Sequence, residues 1–188
     1  IQLDENATWT DGEPVTTEDV AYTIDVTAHP DTITTQASFI NMIEGTDENG
    51  KVVEGSESVS GVEIIDDDTM NIHTKQPVDP NYFSEFFGFY FFIAPEHIFS
   101  QYEPGELHTA EEIVNPTVFN GAYSVTNFVE GDHVELTANS DYYRGAPEID
   151  TIYMRMVAET VMMTELQSGN IDMTAGGSVG SLSPNNME

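Results

Sequence analysis

Residues 9–24 read WTDGEPVTTEDVAYTI, a turn, a proline, a threonine pair and an acidic helix start within sixteen positions. Asp11-Gly12 is a turn dipeptide. Thr16 and Asp19 have the spacing of a capping box, with Asp in the place Glu usually takes. Glu18 and Asp19 bring negative charge to a first helical turn, where the helix dipole favours it. Val20, Ile24 and Ala28 then give an apolar stripe at helical spacing. His29-Pro30 should end the helix, because the residue before a proline is driven out of the α region. The stretch therefore reads as strand, turn and capped helix. Such an order recurs in unrelated proteins and by itself names no function.

Working outward, residues 2–9 are expected to be a strand. A second helix is expected over 35–44, with Phe39, Ile40 and Ile43 on one face and Gly45 as its stop. VEIIDDDTMNIHT reads as a hairpin around an Asp-rich turn. A short helix is expected from Asp79 or Pro80 to about Phe87, and PEHIF and TAEEIVNP each read as another short helix. GAYSVTNFVEGDHVELTAN alternates on both arms around Glu130-Gly131-Asp132 and reads as a second hairpin. IDTIYMRMV is an expected strand, ETVMMTELQSG a helix stopped by Gly169, and NIDMT a short strand. Helices and hairpins interleave without a steady βαβ rhythm, so the class is α+β, or mixed α/β.

Four Lys plus Arg stand against 34 Asp plus Glu, a formal charge of −30, yet 39% of the 188 residues are hydrophobic. That is not the composition of a disordered acidic tail. Acids spread over the whole chain resemble the surfaces of proteins from salt-loving microbes, where concentrated salt screens self-repulsion. A patch for a cationic partner is the alternative. Nucleic acid is not an expected partner, for want of a basic patch. With no cysteine, disulfides, thiolate nucleophiles and Cys-zinc sites are absent. The chain opens at Ile1, carries no signal leader or bilayer-length apolar run, and ends in a loop-like GGSVGSLSPNNME. The expectation is a piece of a longer protein.

Little in the chain points to catalysis. GGSVG fits the G-x-S-x-G elbow of a serine hydrolase through Ser178, but a poor helix former follows and no His comes after His133. A glycine-serine loop is the competing reading. His29, His73, His97, His108 and His133 show neither i, i+4 pairing nor H-E-x-x-H, so no metal or other cofactor is expected. Asn6-Ala7-Thr8 is a formal glycosylation sequon. Eight of the 19 aromatic residues fall between Tyr82 and Phe92. They can serve as core, as a ligand-facing wall or as membrane contact; the negative charge opposes the last.

Five blocks in order carry a resemblance. Trp9, Asp11, Gly12, Pro14, Thr16, Asp19, Val20, Tyr22 and Thr23 fit F-x-D-G-x-P-(L/V)-T-A-x-D-V-x-(Y/F)-(S/T), with Thr17 in the Ala place. VEIIDDDTMNIHT, IAPEHIF, the stretch VFNGAYSVTNFVEGDHVELTANSDYYRGAPEID and LQSGNIDM match the blocks that follow. The pattern resembles the family 5 extracellular solute-binding proteins, the dipeptide-, oligopeptide- and nickel-binding subunits of ABC importers. Phe119 and Ala122 depart from the G-T-G-P-Y block, and Tyr143 replaces its usual Trp.

The resemblance implies part of a periplasmic-binding-protein-like, two-lobed fold, mainly the first lobe. Residues 1–110 would be its helix and hairpin subdomain, 111–157 its β-rich part, and 158–188 the incomplete start of the second lobe. It implies capture of a peptide, or a related small solute, outside the cell and delivery to a membrane permease. No catalytic residue or cofactor is implied, and the membrane is met only through a lipid anchor beyond this chain. The implied hinge is Met156, Val157 and Ala158. Glu159, Asn120, Tyr123, Phe89 and Tyr90 are the candidate ligand contacts, and in this reading Asp11, Thr16 and Asp19 are scaffold. A serine hydrolase and a structural or adhesive acidic surface domain are the alternatives.

The salt-adapted surface has a direct check in thermal unfolding. The midpoint should fall as salt is lowered from molar to dilute; an unchanged midpoint counts against it.

Overall fold

A computed structural model of the chain describes residues 1–174, without the side chains of Phe86, Tyr90 and Glu159. The described residues combine helices with two separate antiparallel sheets, the mixed class expected. They group into two units. One comprises Ile1–Ser124 with Ala138–Asp150; the other comprises Val125–Thr137 and the chain from Thr151.

The first unit is organised around α1 (Thr17–Ala28). Thr16 is extended at its N-cap, and the Asp19 carboxylate accepts the Thr16 N–H at 2.9 Å. The expected stripe is the buried one: Val20 is 3% exposed, Ile24 and Ala28 0%. The helix ends where Pro30 forces it to, with His29 extended at ψ 135°. Ile40, Ile43, Val59, Met70 and Phe91 complete the core against this stripe. Each such aliphatic side chain contributes roughly 1.5–3 kcal/mol on burial.

Asp19 does more than cap. Its carboxylate, almost wholly buried, also accepts the Trp9 indole N–H at 3.1 Å and the Glu96 N–H at 2.8 Å. One turn on, Thr23 Oγ1 donates to the Asp19 carbonyl and accepts from Ala94 N–H. Lys51 secures the other end of α1. Its Nζ donates to the carbonyls of Thr27, His29 and Thr32 at 2.9–3.0 Å. Burial lowers the Lys51 pKa, opposed by the charge of Asp47.

The first hairpin forms as expected, with β1 (Val62–Ile64) antiparallel to β2 (Met70–Ile72). Residues 2–9 do not form a strand. They make isolated bridges, Gln2 to Thr69 and Thr8 to Pro14. A turn closed by Ala7 N–H on the Asp4 carbonyl interrupts them, and Pro14 has no N–H to extend a ladder. The second helix is also shorter than expected. Only α2 (Ala37–Ile40) is helical, because Thr46 Oγ1 and Lys75 Nζ take the Ile40 and Asn41 carbonyls that would continue it. Gly45 still ends the segment at φ +88°, where a side chain would collide with Ser60.

Helix α3 (Pro80–Tyr90) outruns its expected end at Phe87. Asp79 caps it through the Asn81 and Tyr82 N–H groups. Phe83, Phe87 and Phe91 then stack at i, i+4 spacing, with centroids 5.1 and 4.7 Å apart, and carry the helical turn forward. Two one-turn helices follow, α4 (Glu96–Phe99) and α5 (Glu111–Val114). Thr109 does not cap α5: its hydroxyl donates to the Glu106 carbonyl, and Ala110 sits at the N-cap.

The second hairpin and the next strand also form as expected. β3 (Tyr123–Val129), β4 (His133–Ala138) and β5 (Thr151–Arg155) make a sheet in the order β3-β4-β5. In the second unit His133 pairs with Arg155 and Thr137 with Thr151, and Thr126 meets Thr137 across the face at 2.8 Å. Helix α6 (Glu159–Gln167) ends at Gly169, φ +72°. Residues 170–174 are not a strand, because the Asn170 and Ile171 N–H groups turn back onto the Glu165 carbonyl.

Asp19→Ala should cost at least about 3 kcal/mol, because it strips buried N–H donors of a charged acceptor. Urea unfolding followed by Trp9 fluorescence measures it. A loss below about 1 kcal/mol contradicts a central role for this carboxylate.

Candidate functional site

Among the described residues, the larger of two cavities in the first unit has a volume of about 480 Å³ and the other about 310 Å³. The larger is assembled from segments that α1 gathers. Trp9 and Pro95 reach it from the two loops held by Asp19. Ile98 and Phe99 come from α4, and Ile113 from α5. Phe119 is pinned to the first turn, as Thr10 N–H donates to its carbonyl at 2.8 Å and its own N–H donates to Thr10 Oγ1 at 3.0 Å. Asn139 fixes the next residues, donating from its N–H to the Ala122 carbonyl and from its side chain to that of Gly121.

The lining is mainly apolar. Glu112 is the one carboxylate among the described lining residues. It accepts the Tyr102 hydroxyl at 2.6 Å, a hydrogen bond that raises the Tyr102 pKa. Tyr123 spends its hydroxyl on the Ile149 carbonyl at 3.0 Å, which leaves its ring as the group it can offer. Such a site suits a bulky apolar group held by contact area, with polar groups setting orientation.

Next in sequence to the lining residue Ile98 but not itself lining the cavity, His97 places its Nε2 2.8 Å from Asp11 Oδ2. Burial alone would raise the Asp11 pKa. The His97 hydrogen bond, the Glu13 N–H and the His97 charge outweigh it, and the carboxyl lies below its ordinary range. The second cavity, about 310 Å³, shares the wall of Ala94, Phe99 and Ile113 and is also lined by Tyr22, Thr23, Thr27 and Thr34. Burial, aided by Glu96, pushes the Tyr22 phenol up to about 12.

Of the residues singled out from the sequence, Asn120 and Tyr123 line the larger cavity, with Phe92 of the aromatic run beside them. Phe89 does not; it sits on α3, 70% exposed. Met156, Val157 and Ala158 lie in the second unit between β5 and α6, with Ala158 at the N-cap of α6. The side chains of Tyr90 and Glu159 are not among those described, and Ser178 lies outside the described residues. No group of three His, Asp or Glu among the described residues can hold a metal ion. Sequence reading missed Trp9, Ile98, Ile113 and Phe119 as lining. A signal existed only for Phe119, which departs from the block it sits in.

The family model described as bacterial extracellular solute-binding proteins, family 5, matches residues 1–186. The periplasmic oligopeptide-binding protein OppA of Escherichia coli is 28% identical over 187 residues, covering 93% of this chain and 32% of that protein. A putative ABC transporter peptide-binding protein of Brucella ovis is 27% identical over 170 residues, covering 90% and 29%. Among solved structures, the lactococcal OppA complexed with an endogenous peptide in the closed conformation aligns at TM-score 0.74 and 20% identity, over 91% of this chain and 32% of that one. AppA of Bacillus subtilis in complex with a nonapeptide aligns at 0.72 and 21%, over 90% and 30%. At that identity the likeness concerns the fold. The chain spans about a third of the length of the relatives it matches.

The His97–Asp11 pair makes a pH prediction. A carboxyl held below its ordinary pKa stabilises the fold fully above about pH 4 and loses that contribution as pH falls through the folded value. Asp11→Asn should therefore destabilise at neutral pH, by about 1 kcal/mol or less for so exposed a pair. The gap between the two proteins should close in strong acid, read by denaturant midpoints across pH. A gap that stays constant, or widens in acid, contradicts the assignment.

Proposed function

The chain belongs to family 5 of the bacterial extracellular solute-binding proteins, and from that membership we propose that it is part of the binding subunit of an ABC importer. The complete protein captures a peptide, or a related small solute, outside the cell and delivers it to a membrane permease. The observation that carries this reading is the preformed cavity of the first unit, walled by Phe92, Phe119 and the Tyr123 ring. It is shaped to seat one apolar side chain of a solute, with Asn120 as the orienting amide.

Phe89, Tyr90 and Glu159 are further proposed contacts, and Met156, Val157 and Ala158 the proposed hinge. Enclosure by hinge closure raises affinity, and no bond is made or broken, so the protein is not an enzyme. The division into 1–110, 111–157 and the second-lobe start at 158–188 belongs to the same proposal. So do a lipid anchor on the complete protein and a habitat of concentrated salt.

Calorimetry of the full-length protein in molar salt against dipeptides, longer peptides, nickel and sugars tests the reading. A peptide with a bulky apolar side chain should bind. Phe119→Ala should weaken it about tenfold or more, the scale of losing roughly 1.5–3 kcal/mol of aromatic contact. Tyr123→Phe, which keeps the ring, should bind much as the parent does. Heat from nickel alone, or from no solute, overturns the peptide reading.

A further inference from the structure

Asn6-Ala7-Thr8 is the one Asn-x-Ser/Thr triplet in the chain whose middle residue is not proline; Asn115-Pro116-Thr117 has the spacing but is blocked by its proline. The fold displays the first of these. Asn6 is exposed and sits at the third position of the turn in which Ala7 N–H donates to the Asp4 carbonyl at 2.9 Å. Its side chain makes only a local contact, Nδ2 donating to Asp4 Oδ1 at 3.1 Å, with its own N–H on the same oxygen at 3.0 Å.

The hydrogen bonds that tie this segment to the unit come from its neighbours. Leu3 N–H donates to the Asp68 carbonyl, and Val15 N–H to that of Ala7. The Asn6 side chain holds no element in place, so a bulky substituent on Nδ2 can project into solvent without breaking the fold. A sequon on a surface turn of a protein outside the cell is the setting in which this modification occurs.

We propose that Asn6 is an N-glycosylation site. The proposal rests on the extracellular reading above, since the transfer takes place on exported chains. The donor is a lipid-phosphate-linked oligosaccharide acted on by a membrane transferase. The bond from the anomeric carbon to the Asn6 nitrogen forms, the bond from that carbon to the lipid phosphate breaks, and one Nδ2 proton leaves with the phosphate side. The second Nδ2 proton remains for Asp4.

The test uses the full-length protein recovered from its own source organism, fractionated into surface and cytosol. Trypsin is a poor tool here, because no Lys or Arg lies between Asn6 and Lys51; a protease cutting at acidic residues releases the peptide for mass spectrometry. The Asn6 peptide should carry sugar mass. Asn6→Gln and Thr8→Val should abolish it, and Thr8→Ser should keep it. The Asn115 peptide should be bare in every variant. Surface protein with a bare Asn6 overturns the proposal and leaves the transport reading standing. Protein confined to the cytosol overturns both.

Discussion

The Asp19 carboxylate is a buried charge whose partners are three N–H donors rather than a cation. Burying a charge is costly unless hydrogen bonds replace water, so each of those donors has to stay where it is. They belong to the Trp9 turn, the start of α1 and the start of α4, the last of them 77 residues along the chain from Asp19. The main cavity takes Trp9, Pro95 and Ile98 from the loops so tied. One carboxylate therefore sets the helix start and the spacing of two cavity walls.

The scarcity of cations shapes the rest. Two lysines are spent on main-chain carbonyls: Lys51 on three at the end of α1, and Lys75 on those of Asn41 and Asp47. Their charges sit on carbonyls at and just beyond the ends of α1 and α2 and in the turn at Asp47, where a cation is favoured. The carboxylates are left to turn caps, such as Asp79 and Asp47, and to histidines, such as His97 on Asp11 and His73 on Glu63. A chain built this way leaves its formal −30 largely unneutralised by its own cations, the kind of charge whose self-repulsion dissolved ions screen.

Where the fold was legible in the sequence, the cause was local. Thr16 to Ala28 carried a cap, a stripe and a proline stop, and α1 follows all of them. Both hairpins were legible from alternation around turn residues. The misreadings came where side-chain hydrogen bonds, a turn or ring stacking overrode the backbone pattern of the segment. Residues 35–44 lost their last helical turns to Thr46 and Lys75. Residues 2–9 lost their strand to a turn at Asp4 and to the missing N–H of Pro14. Helix α3 gained a turn from the stack of Phe83, Phe87 and Phe91, whose i, i+4 spacing already stands in the sequence. Asn120 and Tyr123 came from the resemblance alone, while Trp9, Ile98 and Ile113 carry no local mark of lining a cavity.

By itself the sequence carried the ordered motif blocks that resemble the family and the composition that makes the chain acidic, and it determined the mixed helix-and-sheet class and the capped helix at its centre, because periodicity, caps and turn chemistry act over a few residues. The tertiary structure alone decided what Asp19 is for. Its sequence neighbours mark it as a helix cap, and only the approach of Trp9 and Glu96 makes it the point on which the cavity walls depend. Burial and hydrogen bonding are set by which residues meet, and that is a property of the packed chain.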